Sequence, residues 1–173
     1  MLLFTDRSIW TIVHGIVLSG GALMALAAAL FSLRTMRTGA TPEQSRSLAQ
    51  LLVFVAAMLW LAVLVGTYIV FPLYRATPPA GATDLSQFPR SLLLANPGTA
   101  WLVSFAMEIK EHVPWIASML ATAVAFVGMR YRSRLLNDAP LRNMAMTLLA
   151  ICFVLISAVG LLGIFINKVA PLQ

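Results

Sequence analysis

Four ionisable side chains occur within five residues, at Glu108, Lys110, Glu111 and His112, in a chain in which only 10% of the residues are charged. His14 is the only other histidine. Imidazole nitrogens bind metal ions and exchange protons near neutral pH. Glu108 precedes His112 by four residues and therefore shares its helical face, where a carboxylate can orient an imidazole. These residue types offer ligation, proton transfer or hydrogen bonding at a buried site.

The elements that carry these residues are membrane spans. Of the 173 residues, 60% are apolar, and the mean hydropathy is +0.89. Three runs without charge, 8–33, 47–74 and 143–167, are each long enough to cross a hydrocarbon core of about 30 Å. A further apolar helix over 101–130 is free of charge only at 113–129. We therefore predict an all-α integral membrane protein, a single transmembrane domain over 1–173 that forms a four-helix antiparallel bundle. The predicted helices are 8–33, 47–73, 101–130 and 142–167.

The segment 75–100 has a different composition from the spans. It contains four of the nine prolines, and turn residues cluster around them, as in Pro78-Pro79 and Asn96-Pro97-Gly98. The run Leu92-Leu93-Leu94 within it is too short to cross a membrane. Because long connections of this kind often cover a site, we expect the segment to be an external cap over the ends of the helices.

The positive charges give the orientation. Lysine and arginine accumulate in the cytoplasmic loops of membrane proteins, and most arginines here fall in the two short connections after the first and third helices. This bias predicts both termini on the periplasmic side of a bacterial inner membrane. It also explains the net charge of +6 without nucleic-acid binding. The arginines of the two connections are Arg34, Arg37, Arg46, Arg130, Arg132, Arg134 and Arg142.

The two histidines fall at nearly the same predicted depth. At about 1.5 Å per residue, His14 lies about 30 Å from the boundary at Arg34, and His112 lies about 27 Å from the boundary at Arg130. Ionisable residues at the rim of a span are functional candidates. Two imidazoles on facing helices at one depth predict axial ligation of a b-type haem iron. His14 and His112 are thus the predicted metal ligands.

Other residues near this level complete the predicted cofactor site. Gly15 and Gly66 would let a flat ligand approach the backbone. Tyr68 would hydrogen-bond a quinone head, and Glu108 would orient an imidazole or accept a quinol proton. Arg75 would pair with a haem propionate at the outer surface.

Three stretches carry a resemblance to a known type of protein: WTIVHG at 10–15, GTYIVFPLYR at 66–75 and MEIKEHVPW at 107–115. The chain resembles small four-helix bacterial membrane proteins that are similar in general design to b-type cytochrome membrane subunits. The resemblance implies a redox subunit that holds haem between helices and passes electrons between quinone and a membrane or periplasmic redox partner. It therefore implies electron transfer within an oxidoreductase complex, with haem b and quinone as the cofactors.

Two other interpretations remain open. The small residues could be helix interfaces, which would make the chain a non-catalytic accessory subunit of a larger respiratory or photosynthetic complex, or a homo-oligomer. Alternatively, Glu108, His112 and His14 could bind a non-haem metal, since residues four apart on a helix can share one ion.

Overall fold

The computed structural model of the chain describes residues 5–36 and 40–171, and these contain no strand. Four helices are long and apolar enough to cross a membrane, which confirms that part of the prediction. These four are the helices labelled α1, α2, α4 and α6 below, and α3 and α5 are short helices in the connections. In chain order they are α1 (Asp6–Thr35), α2 (Pro42–Arg75), α3 (Pro89–Ala95), α4 (Leu102–Tyr131), α5 (Ser133–Asn137) and α6 (Ala139–Val169).

Capping residues start two of the long helices earlier than the charge pattern predicted. The Thr41 hydroxyl accepts the backbone N–H of Gln44, and the Gln44 side chain accepts the N–H of Thr41. This reciprocal pair is a capping box. The Asp138 carboxylate accepts the N–H of Leu141 in the same way. As a result α2 begins at residue 42 rather than 47, and α6 at residue 139 rather than 142.

The long helices pack in a ring, with α1 against α2, α2 against α4, α4 against α6 and α6 against α1. Small side chains on the packed faces let the helices approach closely. Large apolar side chains such as Phe31 and Phe126 remain exposed, at 68% and 61%. An apolar exterior of this kind is suited to lipid rather than water. The small buried residues of α4 are Ala117, Ala121, Ala125 and Gly128.

The connection between α2 and α4 packs onto the ends of those helices. Leu93 of α3 is completely buried in a small apolar cluster separate from the main core. A hydrogen bond from Arg7 Nη1 to the Gln87 carbonyl, 3.1 Å long, ties this connection to α1. The other members of the cluster are Tyr74, Leu102, Ala106, Met107, Ile166 and Ala170.

The basic residues gather where α1 and α4 end and where α2 and α6 begin. Arg134 pairs with Asp138, with 3.8 Å between nitrogen and oxygen. Arg142 donates to the Leu136 carbonyl. Arg37, one of the arginines used for the orientation, lies outside the described residues.

We expect Gly128→Ala to destabilise the protein. A Cβ atom at Gly128 would lie 2.6 Å from Cδ1 of Leu52, which is 1% exposed. Overpacking of this kind costs about 1–3 kcal/mol. Gly160→Ala is the matched control, because no atom lies within 4 Å of the added carbon, and alanine favours a helix. Thermal unfolding in detergent should show a lower midpoint for Gly128→Ala only, and equal midpoints would contradict this packing.

Candidate functional site

A cavity of about 1010 Å³ lies at the end of the bundle opposite the arginines. Its wall comes from the beginnings of α1 and α4 and from the ends of α2 and α6. Most lining residues are apolar or glycine, as in typical small-molecule sites. The polar ones are Thr11, His14, Ser19, Thr67, Tyr74, Lys110, Glu111, Ser157, Asn167 and Lys168.

The cavity opens onto the apolar exterior between α1 and α6. Ile16 of α1 and Leu161 and Ile164 of α6 all line it. The same side chains are 71%, 57% and 63% exposed. An amphiphilic molecule could therefore keep its head inside the cavity while its chain remains on the apolar surface of the bundle.

Three of the four long helices depart from α-helical geometry beside the cavity. Their π-helical segments are Val13–Gly20 in α1, Gly66–Val70 in α2 and Leu102–Met107 in α4. Each segment contributes lining residues. In α1 the Ser19 hydroxyl donates to the His14 carbonyl, five residues back, at 2.8 Å. π-Helical turns are rare and occur often at functional sites.

The imidazole of His14 packs directly on the backbone of Gly66. A Cβ atom at Gly66 would lie 2.6 Å from Cε1 of His14 and 3.2 Å from its Nδ1. This contact requires glycine at position 66. The same Nδ1 atom is buried and has no hydrogen-bond partner within residues 5–36 and 40–171. A buried polar atom without a partner costs about 1–3 kcal/mol, so it needs an explanation.

We expect Gly66→Ala to displace the His14 imidazole while leaving His112 in place. The added carbon would occupy space now held by the ring. Because the chain has only two histidines, selective isotope labelling gives two ring signals that NMR can follow, and His112→Gln assigns them. The His14 signal should shift in Gly66→Ala, and a spectrum in which neither signal moves would contradict the contact.

Lys110 reaches from α4 to the backbone of α6. A Cβ atom at Gly163 would lie 2.7 Å from Nζ of Lys110. The side chain is partly buried, and no ion pair or hydrogen bond joins it to another described residue. The hydroxyl of Tyr74, which is 4% exposed, likewise has no partner in the described part of the chain. Three polar groups with unused bonding capacity thus line one cavity.

We expect Lys110→Met to stabilise the ligand-free protein. An unpaired cation in an apolar cavity costs about 1–3 kcal/mol, and methionine fills similar space without charge. Lys168→Met is the matched control, because Lys168 is exposed near the same cavity. The thermal midpoint in detergent should rise for Lys110→Met alone. A fall, or an equal rise in both variants, would mean that Lys110 has a partner or is solvated.

The structure does not bring the two histidines together. The His112 side chain is 72% exposed and is not part of the cavity wall. Its Nδ1 lies 2.8 Å from the backbone carbonyl of Glu108 and 3.9 Å from the Glu108 carboxylate, which is itself 61% exposed. A haem held between His14 and His112 is not an arrangement that this cavity offers, and such ligation stays a sequence-based prediction.

Of the other predicted site residues, some line the cavity and some lie outside it. Gly15 and Gly66 line the cavity as expected. Tyr68 is 69% exposed and points away from it. Arg75 is exposed and lies over the ring of Phe71, with 5.3 Å between guanidinium carbon and ring centroid. Among residues 5–36 and 40–171, no three His, Cys, Asp or Glu side chains come together, so Glu108, His112 and His14 are not grouped as the metal interpretation needed.

Sequence reasoning underrated Lys110 and missed Tyr74 as a cavity residue. From the sequence alone, Lys110 is named only as a member of the charged cluster at 108–112, and Tyr74 is assigned no role. One sequence signal could have corrected this. Successive residues of a helix are rotated by about 100°, so Lys110 lies on the same side of α4 as Ala117 and Ala121, whereas His112 lies on the opposite side.

No protein-family model, curated protein or solved structure matches this chain. The resemblance to b-type cytochrome membrane subunits therefore rests on the sequence stretches quoted above.

Proposed function

We propose that this protein is a multi-pass subunit of a bacterial inner membrane that binds the head group of a quinone or quinol in the cavity and takes part in electron transfer. The observation that carries the proposal is that His14, Lys110 and Tyr74 line one mainly apolar cavity, and that His14 Nδ1 and the Tyr74 hydroxyl have no hydrogen-bond partner among the described residues. A quinone head has two oxygen atoms on an apolar ring. It would supply the missing hydrogen-bond partners and fill apolar space.

The opening between α1 and α6 supports an amphiphilic ligand. A quinone is dissolved in the bilayer, so it would enter from the lipid side past Ile16 and Ile164. Its isoprenoid chain would remain on the apolar exterior of the bundle.

Each polar residue has a distinct role in the proposal. Lys110 donates a hydrogen bond to one quinone oxygen and offsets negative charge that develops there on reduction. His14 bonds the other oxygen through its imidazole and accepts the first proton of a quinol there. Glu111, also in the cavity wall, accepts the second proton of a quinol. The two electrons of the quinol pass to a redox centre of a partner protein.

The arginines supply the orientation. Most of them lie at one end of the bundle, and the positive-inside bias favours the cytoplasm for that end. The helices then alternate in direction as an antiparallel bundle, with both termini and the cavity on the periplasmic side. A periplasmic or membrane-bound redox partner could reach the cavity from there.

A single haem b is the second candidate ligand. His14 offers an imidazole in the cavity for the iron, and Lys110 offers a cation for a propionate. In the observed arrangement His112 does not supply a second axial ligand. When bound, the haem would carry one electron, and the chain's own residues would hold and orient it.

Quinone binding can be measured by fluorescence, because Trp115 lines the cavity and quinones quench tryptophan. The protein in lipid nanodiscs is titrated with a short-chain ubiquinone analogue. We expect saturable quenching in the wild type. We also expect a Kd about tenfold higher in His14→Phe and in Lys110→Met, since one lost hydrogen bond is worth about 1.4 kcal/mol or more at such a site.

His112→Gln is the matched control, because His112 lies outside the cavity, and its Kd should equal that of the wild type. Quenching that does not saturate, or equal effects of both histidine variants, would contradict the proposal. A visible spectrum of the same sample decides the second candidate. A Soret band that shifts on reduction and is lost in His14→Phe would assign haem instead. If the protein binds neither quinone nor haem, the accessory-subunit interpretation is the one that is left.

A further inference from the structure

A second groove lies at the arginine-rich end of the bundle, between the beginning of α2 and the end of α4. It encloses about 350 Å³. Its polar wall contains Arg46, Arg132 and Gln50, and its apolar wall contains Ala49, Val53 and Met129. The site proposed for quinone uses none of these residues.

Other arginines at this end are already engaged with groups of the chain. Arg134 pairs with Asp138, and Arg142 donates to the Leu136 carbonyl. Arg130 and Arg134 also lie over the ring of Tyr131, within 6.0 Å of its centroid. In contrast, neither Arg46 nor Arg132 has an ion pair or hydrogen bond from its side chain within residues 5–36 and 40–171. Arg46 and Arg132, which lack such a partner among the described residues, line the same groove.

The backbone at Arg132 holds an unusual conformation. Its φ is 38°, in the left-handed region that normally favours glycine and costs an ordinary residue about 1–3 kcal/mol. This turn ends α4 and starts α5 at once, because the Arg132 N–H donates to the Gly128 carbonyl and the Arg132 carbonyl accepts from Leu135. The turn therefore brings an arginine side chain to the groove at the cost of backbone strain.

The groove is polar at one end and apolar along its length. From Arg46 to Val53 along α2 the rise is about 10 Å. Val53 and Met129 are 38% and 52% exposed, so the apolar wall merges with the exterior of the bundle. A ligand that fits has an anionic head between two arginines and a hydrocarbon chain beyond it.

We propose that this groove binds an anionic phospholipid of the adjacent leaflet, with its phosphate between Arg46 and Arg132. Guanidinium groups bind phosphate oxygens through charge-assisted hydrogen bonds, and basic pockets between membrane helices hold anionic head groups. Ala49, Val53 and Met129 contact the first part of an acyl chain.

Native mass spectrometry of the detergent-purified protein tests the site. The protein is incubated with equal amounts of phosphatidylglycerol and phosphatidylcholine, and the retained lipid is counted. We expect the wild type to retain phosphatidylglycerol preferentially. The double variant Arg46→Gln, Arg132→Gln should weaken that retention about 30-fold, since each arginine near a charged lipid head contributes about a factor of five.

The matched control is Arg130→Gln, Arg134→Gln, which removes the same charge from the same end of the bundle but from residues outside the groove. It should retain phosphatidylglycerol as the wild type does. Equal losses in both double variants would show unspecific attraction and would overturn the proposal, as would unchanged retention in Arg46→Gln, Arg132→Gln.

A lysine variant and a competition with inorganic phosphate complete the test. The double variant Arg46→Lys, Arg132→Lys retains both charges. It should therefore fold even if the glutamine variant does not, and it should keep a preference for phosphatidylglycerol. Inorganic phosphate distinguishes a free anion from a lipid. Inorganic phosphate should not displace the bound phosphatidylglycerol. If phosphate displaces all of the lipid and raises the thermal midpoint as much as the lipid does, the groove is a site for a soluble anion.

Discussion

The contact between the His14 imidazole and the Gly66 backbone sets the geometry of one end of the bundle. Without a side chain at position 66, the ring of His14 can pack with its Cε1 atom against the backbone of α2. That position buries Nδ1 and deprives it of a partner within the described residues. An unsatisfied buried nitrogen is costly, and the fold tolerates it beside a cavity that a ligand can enter. The proposed function of the cavity depends on this contact.

The two halves of the bundle differ in how closely their helices pack. At the arginine end, small and branched side chains such as Leu52 and Ala121 fill the space between regular α-helices. At the other end, three helices include π-helical segments. Glycines replace larger residues there, and the helices no longer fill the space between them. Packing thus stabilises one half, while the other half gives up packing for a binding cavity.

Polar side chains near the cavity end of the spans point in two directions, either into the cavity or out to the exterior. Lys110 and His14 turn inward to the cavity, where a ligand can satisfy them. Glu108 and His112 turn outward near the beginning of α4, where the predicted depth lies near the membrane surface and water is close. A shared depth along two helices therefore does not imply a shared site, because each residue also has a direction around its helix.

The sequence by itself determined that the chain forms four membrane-length helices, because long uncharged runs leave a helix as the way to satisfy backbone hydrogen bonds in lipid. It also singled out His14, Gly15 and Gly66, which the structure places in the wall of the cavity. The rotation of about 100° per residue puts Lys110 and His112 on opposite sides of α4, but only the tertiary structure decided which of these sides faces the cavity. The rotation of each helix depends on how all four faces pack together, and π-helical segments change that rotation locally. Such collective packing is not encoded in the spacing of any one span.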